Sequence, residues 1–513
     1  MPPSPSSDQP GAATWAGFAL MGVGMFMAIL DVQVVATSLP TIQAALKVPP
    51  NQMSWIQTAY LIAEVISIPL TGFLTRLFSM RWLFVIAVTV FTVASAGCAA
   101  STGFSSLIAW RVLQGFAGGT LIPSVFSAVF LLFPPRLEGI ATTIAGVLAV
   151  LAPTLGPIVG GWITQTYSWH WLFLINLIPG AVSALGAAWL LPQERPNFGE
   201  ARHLDVISLA LMAIALSALE IALKEAPKHG WASLLVVGLL GVTACASFVF
   251  FRRTLARAHP VVRLSHLADR NFAIGCLLSF VLGVGLFGSV YMMPVFLALV
   301  RGHGAFEIGE IMLVTGLAQL VTAPLAVALE RRIDARLLAG AGFLLFGLGL
   351  ALSTAQSSDT DFRQMIIPQV VRGSAIMFCL LPPTRLALGD MPLVDVPDGS
   401  GLFNLMRNLG GAIGLALIDT VIYGRSPVHA KAIVASLQNG DVATAKAVGI
   451  PLDLFLGHHG PLDDATRAML EPMGQNLALV QAINEAWALA AAMTFCALFV
   501  LPFARRPRGV PLT

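Results

Sequence analysis

The segment WAGFALMGVGMFMAILDVQVVATS, residues 15–38, is an almost uninterrupted apolar run with one charged side chain, Asp31. A helix of about 20 such residues crosses the hydrocarbon layer of a membrane. Because a carboxylate is costly in hydrocarbon, Asp31 is expected to face a partner or a cavity within the protein. The segment therefore predicts a transmembrane helix with a buried acidic site.

The rest of the chain has the same character. Its 513 residues include 29 Lys or Arg and 26 Asp or Glu, whereas an average soluble chain of this length carries roughly 128 charged residues. Hydrophobic residues make up 57% and the mean hydropathy is +0.81. These values exclude a water-soluble globule. The net charge of +3 is small and the basic residues are scattered, so nucleic acid is not expected as a partner.

Sequence motifs for enzymes and cofactors are missing. The five cysteines form no C-x-x-C pair, and none of the five lysines follows a glycine as a phosphate-binding loop requires. No Ser/His/Asp set, metal cluster or cofactor loop rises above chance. We therefore expect neither enzymatic activity nor a cofactor or metal.

Apolar segments of spanning length predict an all-α, polytopic membrane protein, because alternating strands are absent and lipid offers backbone amides no partner. Six predicted spans form a first block, two follow, and six more end the chain. They lie near 15–38, 53–74, 82–101, 104–127, 139–162, 171–191, 204–223, 233–251, 271–298, 306–329, 337–355, 363–388, 399–422 and 482–503.

The loops between these spans indicate the orientation. With the N-terminus inside, sixteen Arg residues fall on the cytoplasmic side and five Lys or Arg in the short outer loops, as the positive-inside rule requires. A polar stretch of about 60 residues, 423–481, forms an outer loop. We expect both termini in the cytoplasm.

An internal repeat relates the two outer blocks. Pro69, Leu70, Leu74, Arg76, Arg81 and Leu83 align with Pro324, Leu325, Leu329, Arg331, Arg336 and Leu338, and RVLQG (111–115) aligns with QVVRG (369–373). The repeat predicts two parallel halves. The expected divisions are a tail 1–14, an N-terminal six-helix bundle 15–191, two inserted helices 204–251, a C-terminal six-helix bundle 271–503 that includes outer loop 423–481, and a tail 504–513.

Four motifs resemble the major facilitator superfamily, and most closely its fourteen-helix drug:proton antiporters of the EmrB/QacA type. They are LDVQVVATSLPTI (30–42), GFLTRLFSMRWL (72–83), RVLQG (111–115) and APTLGPIVGG (152–161). The resemblance implies alternating access driven by a proton gradient without a cofactor. The second motif departs from the family pattern, which has Asp at the position of Arg76 and Gly at that of Ser79, while Gly72 and Arg81 match.

Asp31 and Arg111 are the first candidate functional residues. Each lies roughly 10 Å below the outer surface, so the two side chains have matched depths. If they pair, protonation of Asp31 would break the ion pair and could couple transport to protons. A structural ion pair is the alternative. Glu64, near the membrane midplane, is a further proton or cation site or a hydrogen-bonded structural carboxylate.

Other candidates are grouped by position. Gln114, Arg372 and Arg407 are predicted along the substrate pathway, with packing or pairing as the alternative. In helix 5, Gly156, Pro157, Gly160 and Gly161 match the antiporter motif and predict close helix packing that seals the pathway, or close packing alone. Gly72, Arg76, Arg81, Arg331 and Arg336 form the cytoplasmic loop motif, which either sets topology or links the halves.

These expectations give one main function and two alternatives. The main prediction is an inner-membrane exporter of amphiphilic cationic or neutral compounds, including drugs, in exchange for protons. The alternatives are export of a specific metabolite or lipophilic acid, which Arg372 and Arg407 would suit, and a non-transporting membrane sensor or scaffold. In a Gram-negative cell the resemblance implies docking to a periplasmic adaptor and an outer-membrane channel. Small molecules, protons and lipid are the remaining partners.

Overall fold

A computed structural model describes residues 10–47, 50–257, 260–439, 441–450 and 464–505. Within these ranges the protein is all-α and contains fourteen helices long and apolar enough to cross a membrane, which confirms the predicted fold class. Helices 1–14 are Ala12–Ala36, Trp55–Phe78, Met80–Ala99, Phe104–Leu132, Pro135–Thr166, Trp171–Leu190, Val206–His229, Leu234–Leu255, Arg270–Leu299, Ala305–Glu330, Ala335–Ala355, Phe362–Leu388, Val396–Gln438 and Pro472–Phe503. Parts of the predicted tails (1–9, 506–513) and of the outer loop (451–463) lie outside the described residues.

Several helices are longer than their apolar segments. Helix 1 stays helical to Leu46, and helix 13 runs to Gln438, well into the stretch predicted as an outer loop. The reason is that hydropathy marks only the part of a helix that lies in hydrocarbon, while polar residues continue the same hydrogen-bonded helix in water. The segment 423–481 is therefore partly helical, with a short helix at Val442–Val448.

The helices pack in the two predicted groups. In the N-terminal group, helix 1 packs on helices 5 and 6, and helix 4 packs on helices 2 and 3. In the C-terminal group, helix 9 packs on helix 13 and helix 12 packs on helices 10 and 11. Helices 5 and 10 join the groups, with Gly309 close against Ile158. The exact domain boundaries stay a prediction.

Inserted helices 7 and 8 pack chiefly on each other, and helix 7 also contacts helices 2 and 13. Arg253 of helix 8 donates to Asp205, the residue that caps helix 7, at 2.8 and 3.0 Å. These hydrogen bonds hold the pKa of the Asp205 carboxyl well below its ordinary value. At the other end, the Trp231 indole donates to the Thr420 hydroxyl at 2.9 Å. The inserted pair is thus fixed to helix 13.

The two ends of the helix bundle are named by their position relative to the ends of helices 1 and 14. Helix 1 begins and helix 14 ends at the terminal face, where the Arg336 guanidinium donates to the carbonyl of Ala504 at 3.0 Å. The opposite end is the distal face, where Arg301 pairs with Asp361 at 2.9 Å. Beyond it, the end of helix 13, the start of helix 14 and the short helix between them form a segment that we call the distal hairpin, which encloses a small apolar cluster.

Candidate functional site

Asp31 lies at the centre of a buried hydrogen-bond network in the N-terminal half. Its Oδ2 is 2.5 Å from Arg111 Nη1. Its Oδ1 accepts hydrogen bonds from Gln114 Nε2 at 3.0 Å and from Asn176 Nδ2 at 2.8 Å. The side chains of Asp31 and Arg111 are both fully buried. The structure therefore brings together the two residues that matched depth made candidates for pairing.

Residues of helices 2 and 4 hold Arg111 in addition to its contact with Asp31. Its Nε donates to the Ile56 carbonyl of helix 2 at 3.2 Å, and its Nη1 donates also to Gln114 Oε1 at 2.7 Å. The guanidinium lies 4.3 Å from the centroid of the Tyr60 ring, a cation–π distance. These contacts hold the cation independently of Asp31, so the acid can change its protonation state while Arg111 stays in place.

Sequence reasoning missed two neutral members of this network, Asn176 and Ser95. Asn176 lies at a break in helix 6, between Trp171–Leu174 and Leu177–Leu190, which directs its amide towards Asp31. The hydroxyl of Ser95 accepts from the amides of Gln114 and Asn176 at 2.7 and 3.3 Å. An uncharged polar residue in an apolar span is common, so its sequence gives little signal of such a role.

A largely apolar cavity of about 110 Å³ lies between the two halves, beside the Asp31 network. Ile29, Val32 and Gln33 of helix 1 flank Asp31 and contribute to its wall. The other lining residues come from helices 2, 4, 5, 9, 12 and 13 and are Leu61, Glu64, Ile122, Ala149, Val150, Pro153, Leu282, Leu286, Phe287, Val290, Ile376, Leu380, Asn404, Arg407 and Asn408. An apolar wall with few polar groups suits an amphiphilic molecule.

The cavity carries one acid and one base on opposite halves. Glu64 belongs to helix 2, and Arg407 belongs to helix 13. The Arg407 guanidinium donates to Asn404 Oδ1 and lies 5.1 Å from the centroid of the Phe126 ring. Neither Glu64 nor Arg407 forms an ion pair with any residue in the described part of the chain. Both side chains can therefore contact a bound molecule.

The three residues predicted along the substrate pathway are separated. Arg407 lines the cavity, whereas Gln114 belongs to the Asp31 network. Arg372 lies inside the C-terminal half, where its guanidinium is 5.5 Å from the centroid of the Trp487 ring. The structure thus groups Gln114 with the proposed coupling residues and places Arg372 apart from both sites.

Helix 5 approaches its neighbours closely at the glycines of the antiporter motif. A Cβ atom at Gly156 would collide with Gln33 of helix 1, and one at Gly161 would lie 3.0 Å from Cβ of Ala305 in helix 10. Pro157 and Gly160 are also buried in this helix. The motif therefore packs helix 5 against both halves, and its role in sealing the pathway stays a prediction.

Replacing Gly156 by Leu is expected to lower substrate transport at least about tenfold, because the added side chain must push helix 5 away from helix 1. Uptake into membrane vesicles measures the effect, normalised to the amount of folded protein. Gly424→Leu is the matched control, since nothing lies within 4 Å of a Cβ atom at Gly424. Equal transport by both variants would count against the close contact.

At the terminal face, Arg76 forms an ion pair with Asp398 at the start of helix 13. The Asp398 side chain is 1% exposed, and a Cβ atom at Gly72 would collide with it. The family's motif has an acid where Arg76 stands, so here the carboxylate is supplied by the opposite half. Sequence reasoning missed Asp398 because an acid in the first turn of a helix is ordinary.

Ser79, which connects helix 2 to helix 3, has a backbone conformation that glycine usually adopts. Ser79, which stands where the resembled family has Gly, has φ 74°, a region that side chains with a Cβ rarely adopt. Its hydroxyl accepts from the Trp82 amide at 3.5 Å at the start of helix 3. The tight connection between helices 2 and 3 is therefore preserved despite the substitution.

The loop arginines act in pairs that follow the internal repeat. Arg76 contacts helix 13, and its counterpart Arg331 donates at 3.0 Å to the carbonyl of Arg136 in the first turn of helix 5. Arg81 donates to carbonyls at the end of helix 6, and its counterpart Arg336 donates to one after helix 14. Each pair thus contacts helices that are equivalent in the two halves.

Comparison with known proteins assigns this architecture to a family. The model of the Major Facilitator Superfamily matches residues 21–415. The chain belongs to the major facilitator superfamily. Because superfamily members are membrane transporters, the protein is a multi-pass membrane transporter and not an enzyme, as the sequence predicted.

Individual relatives of this superfamily member agree with the assignment. The chain is 38% identical over 429 residues to "Colistin resistance protein EmrB" of Acinetobacter baumannii, covering 83% of this chain and 84% of the relative. It is 30% identical over 420 residues to "Fatty acid resistance protein FarB" of Neisseria gonorrhoeae, covering 82% of each. The human organic anion transporter MFSD10 has the same fold, with a TM-score of 0.61, 15% identity and coverage of 96% of this chain and all of that one.

Proposed function

We propose that this transporter exports amphiphilic cationic or neutral compounds, drugs among them, in exchange for protons by alternating access. The observation that carries the proposal is the buried ion pair between Asp31 and Arg111. Asp31 belongs to helix 1, and the residues next to it in that helix line the cavity between the halves. A relative named for colistin resistance, and the resemblance to drug:proton antiporters, support export of amphiphiles.

Proton exchange follows from the charges of the network. With Asp31 ionised, the Asp31–Arg111 pair is neutral in sum and stable in a water-free interior. Protonation of Asp31 leaves the cation of Arg111 unpaired, which is costly there. A rearrangement of helix 1 or release of a cationic substrate would relieve that cost, so protonation and substrate occupancy oppose each other. Glu64, which lines the cavity, is the proposed second proton or cation site.

Alternating access requires that one end of the cavity opens as the other closes. In this structure the terminal face is held by the Arg76–Asp398 ion pair between the halves. Ser400 of helix 13 adds a hydrogen bond to the Pro123 carbonyl of helix 4 at 2.8 Å. We propose that these contacts form a latch that breaks when the terminal face opens, and that the glycine face of helix 5 seals the distal side.

We place the terminal face in the cytoplasm of a bacterial cell, with the protein in the inner membrane. The support is the excess of Arg in the loops of that face, including Arg76, Arg81, Arg331 and Arg336. The distal hairpin then projects to the outside. The distal hairpin, whose interior is filled by a small apolar cluster that includes Ile433 and Leu437 of helix 13, is the proposed docking element for a periplasmic adaptor and, through it, an outer-membrane channel.

Uptake of a substrate panel into everted vesicles tests the function. The panel contains a lipophilic cation, a neutral amphiphile and a lipophilic carboxylate. Each is tested with and without a pH gradient in which the vesicle interior is acidic. We expect gradient-dependent uptake of the cation and the neutral compound, with proton release seen by a pH-sensitive dye. Uptake that ignores the gradient would reject proton coupling.

Export of a lipophilic acid is the second candidate. The observation that favours it is Arg407, a cation on the cavity wall without an ion-pair partner among the described residues. A relative named for fatty acid resistance points the same way. The carboxylate arm of the panel separates the candidates, because gradient-driven uptake of that compound alone would favour the acid exporter.

A further inference from the structure

Arg372 is a buried cation that the proposed transport cycle leaves unused. It is 3% exposed on helix 12, and it forms no ion pair with any residue in the described ranges. Its Nη2 has two weak contacts, with Thr315 Oγ1 at 3.3 Å and Met293 Sδ at 3.8 Å. Its Nε and Nη1 have no acceptor. The guanidinium therefore keeps most of its hydrogen-bonding capacity.

Two neighbouring side chains present further unpartnered donors. The Thr315 hydroxyl accepts from Arg372 and so directs its own hydrogen to Gln369 Oε1, 3.0 Å away. The Gln369 amide nitrogen then points away from Thr315, and it has no acceptor. The indole nitrogen of Trp487, whose ring lies against Arg372, has none either. Both side chains are fully buried.

Such a cluster is costly unless an anion completes it. A buried donor without an acceptor destabilises the folded state, and a buried unpaired charge does so more strongly. Four buried nitrogen atoms of this cluster are donors without an acceptor: Nε and Nη1 of Arg372, Nε2 of Gln369 and Nε1 of Trp487. The chemistry that satisfies them together is a compact anionic acceptor.

The internal repeat shows which group is missing from the C-terminal half. Arg111 and Gln114 align with Gln369 and Arg372, so each half carries one Arg and one Gln a turn apart on equivalent helices. In the N-terminal half both side chains donate to Asp31. At the offsets of 255 to 258 residues that relate the two halves, the residues corresponding to Asp31 are Leu286, Phe287, Gly288 and Ser289, and none of them carries a carboxylate.

We propose that Arg372, Gln369 and Trp487 form an anion-binding site, in which a carboxylate or halide from outside the chain takes the place that Asp31 has in the other half. The ligand is a monovalent anion that accepts hydrogen bonds from all three side chains. The site is distinct from the Asp31 network and from the cavity cation Arg407.

The site is one helical turn from the central cavity. Val290 and Ile376 line that cavity, and Met293 and Arg372 follow the same helix faces at spacings of three and four residues. The flexible Met293 side chain lies at Arg372 and can swing aside. An amphiphilic carboxylate with its apolar part in the cavity therefore reaches the guanidinium, and chloride reaches it by the same route. The carboxylate source rests on the proposed transport function, whereas the site itself does not.

Thermal unfolding of the purified protein in a mild detergent tests the proposal without any gradient or transport. The reference buffer is sodium HEPES, whose anion is too bulky for the cluster, at constant ionic strength. Chloride, octanoate and the neutral octan-1-ol are added separately. We expect chloride or octanoate to raise the melting temperature of the wild type by about 2–4 °C at saturation, because a ligand that binds only the folded state stabilises it. Octan-1-ol should have no such effect.

Three variants localise the response. Arg372→Gln is expected to lose it, and Arg425→Gln, which removes an exposed arginine of the distal hairpin, is expected to keep it. Met293→Glu places a carboxylate within reach of Arg372. That variant should melt higher than the wild type in HEPES and gain nothing further from either anion, so the test holds even if Arg372→Gln does not fold.

The outcomes separate support from rejection. A response to octanoate alone assigns the site to a substrate carboxylate, a response to chloride alone assigns it to an inorganic anion, and both support the site. No stabilisation by either anion, or equal responses in the wild type and Met293→Glu, would overturn it. Because no transport is measured, its failure leaves proton-coupled export untouched, and a failed vesicle assay leaves the anion site untouched.

Discussion

Replacing Asp31 by Asn is expected to reduce gradient-driven uptake to the passive rate of empty vesicles while the helix bundle stays folded. Asn cannot bind and release a proton, so the charge of the Arg111 network no longer changes during the cycle. The folded bundle is expected to survive because Asn keeps the size of Asp and one oxygen for Arg111. Arg111 also keeps its hydrogen bonds to the Ile56 carbonyl and Gln114. Proton release and substrate uptake are measured together in everted vesicles.

A half-buried carboxylate in the C-terminal half provides the matched control. Asp419 of helix 13 accepts a hydrogen bond from the Tyr291 hydroxyl at 2.7 Å and has no ion-pair partner in the described part of the chain. Asp419→Asn should retain transport. Glu64→Gln tests the second proposed proton site and is expected to alter the number of protons released per substrate. Full antiport by Asp31→Asn would show that the pair is structural only.

The Arg76–Asp398 latch should show strong energetic coupling between its partners. Arg76→Gln and Asp398→Asn each leave one charge without its principal partner at the terminal face, and each is expected to lower transport about tenfold or more. The double variant should be no worse than the more damaged single variant, because both single changes remove the same interaction. The measurement is a double-mutant cycle, in which initial uptake rates are compared for the wild type, the two single variants and the double variant.

An exposed arginine of the same face provides a control that distinguishes loss of the Arg76–Asp398 ion pair from a change in membrane orientation. Arg332 is exposed and follows helix 10 in the loop that contains Arg331. Arg332→Gln should transport normally, since a single loop charge contributes little to orientation when many others remain. Additive losses in the double variant, or an equal loss in Arg332→Gln, would contradict a specific link between Arg76 and Asp398.

The sequence predicted most of the architecture for a physical reason. Each span must bury about 20 apolar residues in lipid, so hydropathy alone marks all fourteen helices. It does not mark where helices end, because residues beyond the lipid carry no such constraint. Helix 13 shows this, since its apolar part predicts an end near 422 and the structure continues it to Gln438.

Prediction of the candidate site depended on charge. Asp31 and Arg111 stand out because ionised groups are rare in apolar spans, and their depth follows from helix rise. Asn176 and Ser95 carry no such signal, and their place in the network required the fold. Asp398 was missed because its partner lies 322 residues away in sequence. The separation of Arg372 from Arg407 likewise depends on the directions in which two helices face.

Helix 13 is one uninterrupted rod of 43 residues, from the latch at Asp398 to the tip of the distal hairpin. Its length of about 65 Å exceeds the hydrocarbon thickness by roughly 35 Å. The part beyond residue 422 extends about 24 Å past the apolar segment, so a tilt of about 10° in the C-terminal half would move its end by roughly 4 Å. A protein bound to the end of helix 13 would move with it in each transport cycle, so the conformational change of the transporter would be transmitted to a partner outside the membrane.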